Sequence, residues 1–292
     1  LLKLTDAPNL ISLEDEDDQM TLDAINRRGL VLLGCGKMGS ALLAGWLASG
    51  LQAQAVWVVE PYPSDWLQGL VAQGLHLNES MPTDPAVALI AVKPQMMGEA
   101  LPQLISLAGG DTLLLSIAAG TKLASYEAIF GESTRLVRAM PNTPAAVGRG
   151  ITAIIGNTMA TAEDLTLAEL LLGAVGEVVR LETEAQIDAV TAVSGSGPAY
   201  VFNLIEALAA AAVAEGLPNE LAMKLARATV TGSGELAYQA EETAAQLRIN
   251  VTSPGGTTAA ALSELMDAQT GLTPLMIRAV KAAADRGREL GK

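Results

Sequence analysis

Short apolar runs separated by helical patterns fill residues 27–182 of this 292-residue chain. The runs at 29–33, 55–59, 87–92, 113–117 and 135–140 are continuously or almost continuously apolar, as strands covered on both faces of a parallel sheet must be. Between most of them apolar residues recur at helical spacing, as at 38–49 and 63–73. Strand–helix alternation predicts a doubly wound, mostly parallel α/β sheet, with the runs at 151–155 and 178–181 extending one edge. After residue 182 the strand pattern stops. Helices are predicted at 199–215, 219–241, 257–269 and 272–290, punctuated by Pro218, Pro254 and Pro274. Residues 183–292 are therefore expected to form an all-α domain. The 199–215 pattern is apolar almost all round, with Asn203 and Glu206 the main exceptions, and such a helix needs cover on every side. Too little chain surrounds it, so a second copy is expected to supply that cover in an intertwined helical dimer.

Residues 1–26 stand apart. Glu14-Asp15-Glu16-Asp17-Asp18 is a compact acidic run, and the segment reads as a flexible, solvated extension. Half of the residues are apolar but only 3% are aromatic, which points to an aliphatic, alanine-rich core of close-packed helices. The net charge of −14 argues against nucleic-acid and membrane-surface partners, so an anionic ligand has to be held by local groups. Cys35 is the only cysteine, which excludes an intrachain disulfide and fits a reducing cytoplasm. His76 is the only histidine, which excludes multi-histidine metal sites and argues against a histidine-based triad. It is expected on a surface strand or loop without a partner. No metal site, membrane span or signal peptide is expected.

Two glycine-rich helix starts carry the candidate chemistry. Gly34-Cys35-Gly36-Lys37-Met38-Gly39 follows a strand and opens a helix, the context a dinucleotide-binding loop requires. Gly34 permits the tight turn, Gly36 lets a pyrophosphate approach the backbone, and Gly39 lets the helix pack on the strand. This makes residues 27–182 a Rossmann domain. Glu60 ends the second strand, 21 residues after Gly39. A carboxylate there accepts hydrogen bonds from the adenosine ribose and repels a 2′-phosphate, which favours NADH over NADPH. Lys93-Pro94 and Ala118-Ala119-Gly120 lie at strand ends along the same ligand-binding edge. Cys35 is expected to be a small packed residue and no nucleophile. Arg138, ending another buried strand, either binds an anion or pairs with a carboxylate.

The second start is Ser253-Pro254-Gly255-Gly256-Thr257-Thr258. Unpaired N–H groups and a partial positive charge at a helix start attract carboxylates. Bulk at Gly255 or Gly256 would block such an anion, and the threonines bring hydroxyls to it. Ser194-Gly195-Ser196-Gly197-Pro198 is expected to launch the 199–215 helix through serine caps and a first-turn proline. It is not a nucleophile elbow, because Ser194 stands where the first glycine belongs.

Taken in order, the glycine loop, Ala91-Val92-Lys93-Pro94-Gln95, Ser116-Ile117-Ala118-Ala119-Gly120, Arg138-Ala139-Met140-Pro141-Asn142-Thr143-Pro144, Ser194 to Tyr200, and Asn250 to Thr258 resemble the pyrroline-5-carboxylate reductase family over residues 27–290. The resemblance implies an α/β Rossmann domain followed by an all-α dimerisation domain, a homodimer through the C-terminal helices, and assembly in some members to a decamer. It implies NAD(P)H-dependent reduction of the C=N bond of a cyclic imine carboxylate to L-proline. It further implies cofactor contacts from residues 34–39, from Ala91, Val92, Lys93 and Pro94, and from Ile117, Ala118, Ala119 and Glu184. Asn250, Gly256, Thr257 and Thr258 match the substrate loop, which the family sets against the Rossmann domain of the dimer mate. Thr258 is the catalytic candidate. Glu60 departs from the small polar or basic residue of many NADPH-preferring members. Two further readings stand beside this one. A β-hydroxyacid dehydrogenase-like enzyme would need a catalytic lysine, with Lys224 or Lys281 as candidates. A non-catalytic NAD(P)-binding sensor would have no need of the 253–258 loop.

Overall fold

The computed structural model describes residues 16–290. Its strands are β1 (Leu30–Leu33), β2 (Val56–Val59), β3 (His76–Leu77), β4 (Val87–Ile90), β5 (Leu113–Ser116), β6 (Leu136–Met140), β7 (Gly150–Gly156) and β8 (Gly176–Arg180). They form one sheet in the order β3-β2-β1-β4-β5-β6-β7-β8. β1 pairs in parallel with β2 and β4, so Leu30 faces Val56 on one side and Val87 on the other. The strand order reverses there, and loops leaving the two strands diverge to open a crevice. Only β6 and β7 are antiparallel, with Arg138 opposite Ile155.

The apolar runs are continuous because each strand serves two cores. Leu30, Leu32, Val87 and Leu89 pack in one cluster, whereas Val31, Leu33, Ala88 and Ile90 pack in another on the opposite face. Helices α1 (Glu16–Arg28), α2 (Lys37–Ala48), α3 (Asp65–Val71), α4 (Met97–Ala100), α5 (Leu123–Phe130) and α6 (Ala162–Gly173) accompany the sheet. The chain continues through α7 (Gln186–Val190), α8 (Gly197–Ala214), α9 (Asn219–Gln239), α10 (Ala244–Asn250), α11 (Thr257–Leu265) and α12 (Leu272–Leu290). Two compact units result. One runs to Gly195 and includes the chain from Gly287, and the other is Ser196–Arg286.

Several expectations change. The extension expected to be flexible through residue 26 contains α1, because Leu22 and Ile25 are buried in the first core cluster. Glu14 and Asp15 of the acidic run lie outside the described residues. The first unit extends beyond 182, since Ile187 and Ala192 are buried and Glu184 hydrogen-bonds to the N–H of Leu123. Ser194 caps nothing. Its hydroxyl donates to the carbonyl of Val190 at 3.0 Å, and Thr191–Gly195 forms a π-helical turn that leads into α8. Nor does Ser196 make a side-chain cap. α10, seven residues long, is a helix the sequence pattern does not predict. α11 stops at Leu265, four residues early, because the Asp267 side chain takes the N–H groups of Gln269 and Thr270 into a turn. His76 has company: its ring stacks on Trp57 at 4.3 Å, and Nδ1 lies 2.9 Å from Glu79 Oε2.

α8 is apolar all round as expected, and within this chain only Ala209 of it is buried. Phe202 is 62% exposed, with Val201, Leu204 and Leu208 also open. The helical run Gln186–Ala214 is long and apolar enough, by length and composition, to cross a membrane.

Candidate active site

One candidate region lies along the C-terminal edge of β1, β2, β4 and β5. Backbone bonds extend the ladder past the strand ends: Gly34 N–H to Val59 O at 2.9 Å, Ala91 N–H to Leu33 O at 2.8 Å, and Ile117 N–H to Ile90 O at 3.0 Å. These fix the origin of each loop. Gly34 has φ +92, and a Cβ there would meet Ala91 O at 2.9 Å. A Cβ on Gly39 would lie 2.6 Å from Gly34 O, which is why the helix can sit so close to the strand. At Gly36 a Cβ would meet nothing within 4 Å. Gly36 is also the N-cap of α2, without a side-chain cap. Open space before uncapped N–H groups fits a pyrophosphate, since no protein group competes for them.

Glu60 reaches back across this loop. Its Oε2 accepts the N–H of Cys35 at 2.8 Å and its Oε1 that of Tyr62 at 3.0 Å. Cys35 is 9% exposed. Burial and then the Glu60 charge push its thiol up to about 12, so it is no nucleophile at neutral pH. Lys37 and Gly36 are exposed and Met38 is half-buried. Ala91 and Val92 are half-buried, and Lys93 and Pro94 exposed, as the chain leaves β4. Ile117 and Ala118 are buried and Ala119 is exposed. The sequence-predicted cofactor residues from four separated segments thus share one sheet edge.

Glu184 joins that edge from the far side. Its Oε1 takes Arg138 Nη1 at 2.6 Å and Leu123 N–H at 2.8 Å. Arg138 pairs with a carboxylate, one of the two roles expected of it. A pocket of about 280 Å³ adjoins them, lined by Gly120, Lys122, Arg138, Glu184, Ala185 and Asp188 among others. Sequence reasoning missed Tyr126, whose buried hydroxyl is 2.6 Å from Ser116 Oγ. Burial raises its pKa, opposed by hydrogen bonds to Ser116 and Thr121 and by the Arg138 charge. Nothing in a lone tyrosine at helical spacing announces that role.

A separate candidate region lies in the other unit. Gly255 has φ +69, a left-handed turn that glycine adopts without strain. Gly256 is the N-cap of α11, with no side-chain cap. A Cβ on Gly256 would collide with the Ser253 hydroxyl, so its smallness first serves the loop's own closure. Thr257 is exposed, and Gly256 and Thr258 are half-buried. Asn250 ends α10, and its Oδ1 accepts Gln246 Nε2 at 2.8 Å. Lys281 is spent on an ion pair with Asp285 at 2.6 Å, and Lys224 is exposed on α9. Neither is set up as a catalytic lysine.

Sheet order, glycine loop and strand-end carboxylate define a Rossmann-type, nicotinamide-dependent oxidoreductase with a C-terminal helical region. Residues 184–290 match the pyrroline-5-carboxylate reductase dimerisation family, and residues 29–120 match the family described as NADP oxidoreductase, coenzyme F420-dependent. The pyrroline-5-carboxylate reductase of Synechocystis is 43% identical over 269 residues, covering 90% of this chain and 98% of that protein. The chain belongs to the pyrroline-5-carboxylate reductase family. Its fold is similar to that of a pyrroline-5-carboxylate reductase from Coxiella burnetii, with a TM-score of 0.84 and 35% identity over 91% of this chain and 99% of that one. A Plasmodium falciparum pyrroline carboxylate reductase solved with NADP bound gives a TM-score of 0.75 at 29% identity, over 91% of this chain and 99% of that one.

Proposed function

We propose that this chain reduces 1-pyrroline-5-carboxylate to L-proline with NAD(P)H, the last step of proline biosynthesis. The observation that carries this reading is the start of α11. Its N-cap is Gly256, no side chain occupies its N–H groups, and Thr258 stands in its first turn. The N–H groups of Thr257 and Thr258 hold the substrate carboxylate, with Asn250 at the edge of the loop; the Gly256 N–H, expected to join them, is instead spent on the Ser253 carbonyl at 3.1 Å and closes the turn. The Thr258 hydroxyl reaches the ring nitrogen, orienting it and relaying its proton. The bound dinucleotide supplies the hydride.

An iminium carbon is already electrophilic, so positioning carries most of the acceleration. Holding two reactants in attack geometry contributes ~7–11 kcal/mol. This suits a chain with one histidine. Residues 34–39 cradle the pyrophosphate. Ala91, Val92, Lys93, Pro94, Ile117, Ala118 and Ala119 line the cofactor, and Glu184 stands at the nicotinamide end. Glu60 favours NADH. The substrate loop works against the Rossmann domain of a dimer mate. The exposed apolar faces of α8 and α9 form the homodimer interface, which explains the apolar run Gln186–Ala214 without a membrane. Dimers assemble further into a decamer, in the cytoplasm.

The test is oxidation of NADH and of NADPH with pyrroline-5-carboxylate, beside pyrroline-2- and piperideine-carboxylates. Turnover is expected with pyrroline-5-carboxylate and faster with NADH. No turnover of any cyclic imine would refute the reading.

A further inference from the structure

Arg138 sits where a charge is costly. It lies on β6 between Ser116 of β5 and Ile155 of β7, and its side chain is 7% exposed. A buried guanidinium persists only when paired with good geometry. The pairing is with Glu184 Oε1 at 2.6 Å, 46 residues along the chain. That same oxygen accepts the N–H of Leu123, the first residue of α5, at 2.8 Å. Arg138 therefore holds a carboxylate that in turn holds the start of a helix.

The segment between β5 and α5 is fixed at its other end too. Ser116 Oγ lies 2.6 Å from Tyr126 OH and accepts the N–H of Ala118 at 3.3 Å. Residues 117–120 hang between these two anchors, with a left-handed turn at Gly120. Three of them, Ile117, Ala118 and Ala119, line the cofactor in the reading above, whose nicotinamide end lies by Glu184.

We propose that Arg138 is a positioning residue for hydride transfer, acting through Glu184 and the Leu123 N–H to set residues 117–120 against the nicotinamide. It touches neither reactant. The Arg138–Glu184 pair works as one clamp, so its two members act in series. This inference rests on the reductase reading and goes beyond it by assigning Arg138 a role in the rate of transfer.

The test is steady-state kinetics of Arg138→Met, Arg138→Lys, Glu184→Gln and the double variant Arg138→Met/Glu184→Gln, with protiated and 4-deuterated dinucleotide. Misplacing reactants costs about 10- to 100-fold, so kcat of Arg138→Met is expected to fall by that factor while KM for the dinucleotide changes less. The deuterium isotope effect on kcat should rise, because transfer becomes the slow step. Arg138→Lys should recover part of the rate, and the double variant should be little slower than the slower single one. Arg180→Met, which removes the exposed Arg180–Glu169 pair (2.6 Å), should leave kcat unchanged. If Arg138→Met does not fold, Arg138→Gln carries the same expectation. The inference is overturned by a folded Glu184→Gln or Arg138→Met with wild-type kcat, by an unchanged isotope effect, by Arg138→Lys no better than Arg138→Met, or by an equal loss in Arg180→Met. A wild-type chain inactive with every cyclic imine would sink the reductase reading itself. An active wild type with an equally active Arg138→Met would sink only the clamp.

Discussion

The backbone N–H of Cys35 donates to Glu60 Oε2 at 2.8 Å, tying the end of β2 to the glycine loop. Asn78 steadies Glu60 from behind: its Oδ1 accepts the Glu60 N–H at 2.9 Å and its Nδ2 donates to the Glu60 carbonyl at 3.0 Å. The carboxylate is therefore a fixed negative charge beside the dinucleotide loop. A ribose hydroxyl can share its lone pairs, whereas a 2′-phosphate meets like charge, which costs several kcal/mol at close range.

Glu60→Gln keeps the shape and removes the charge. The NADH-to-NADPH ratio of kcat/KM should fall about 10-fold, equivalent to about 1.4 kcal/mol. An unchanged ratio would remove Glu60 from cofactor choice.

The Cys35 thiol gives a pH signature. Its folded pKa is raised from 9.0 to about 12, so the folded state keeps a proton that the unfolded state loses. Its contribution is complete below pH 9 and is lost as pH rises towards 12. Stability should decline across that window, and Cys35→Ala should flatten the decline by about 1.4 kcal/mol per pH unit. Urea titrations at several alkaline pH values measure it. Native Cys35 should also resist alkylation at pH 8 while the urea-unfolded chain reacts readily.

Thr258→Ala should lower turnover about 10-fold or more with little change in cofactor affinity, since a hydrogen bond to a charged group is worth roughly 1.5–3 kcal/mol. Wild-type turnover in that variant would return Thr258 to an ordinary first-turn residue.

Phe202 and Leu208 test the helical interface. Burying an unpaired carboxylate there costs far more than a surface substitution. Leu208→Asp should therefore shift the molar mass in light scattering from the oligomer towards the monomer. A variant of unchanged mass and activity would place the interface elsewhere.

Much of this was legible in the chain. β1, β2, β4, β5 and β6 could be read from runs such as Leu30–Leu33 because parallel strands are buried on both faces and leave no polar alternation. The glycine loop was legible because Gly34 and Gly39 answer local steric demands of one turn. Less local features were not. α1 hides behind an acidic run; among its described side chains, Leu22 and Ile25 reach the core. The π-turn at Thr191–Gly195 leaves no mark of its own, because serine hydroxyls suit a helix cap as well as this geometry.

The sequence by itself determined the alternation of strand and helix, the two glycine-rich helix starts and the apolar helix that needs outside cover. All three follow from period, residue size and backbone freedom, which act over a few residues. Only the tertiary structure decided that Glu60 would bind the loop at Cys35, and that Arg138 would pair with Glu184. A charge finds its partner through space, at whatever separation the fold brings together, and residues 46 apart carry no mark of that meeting.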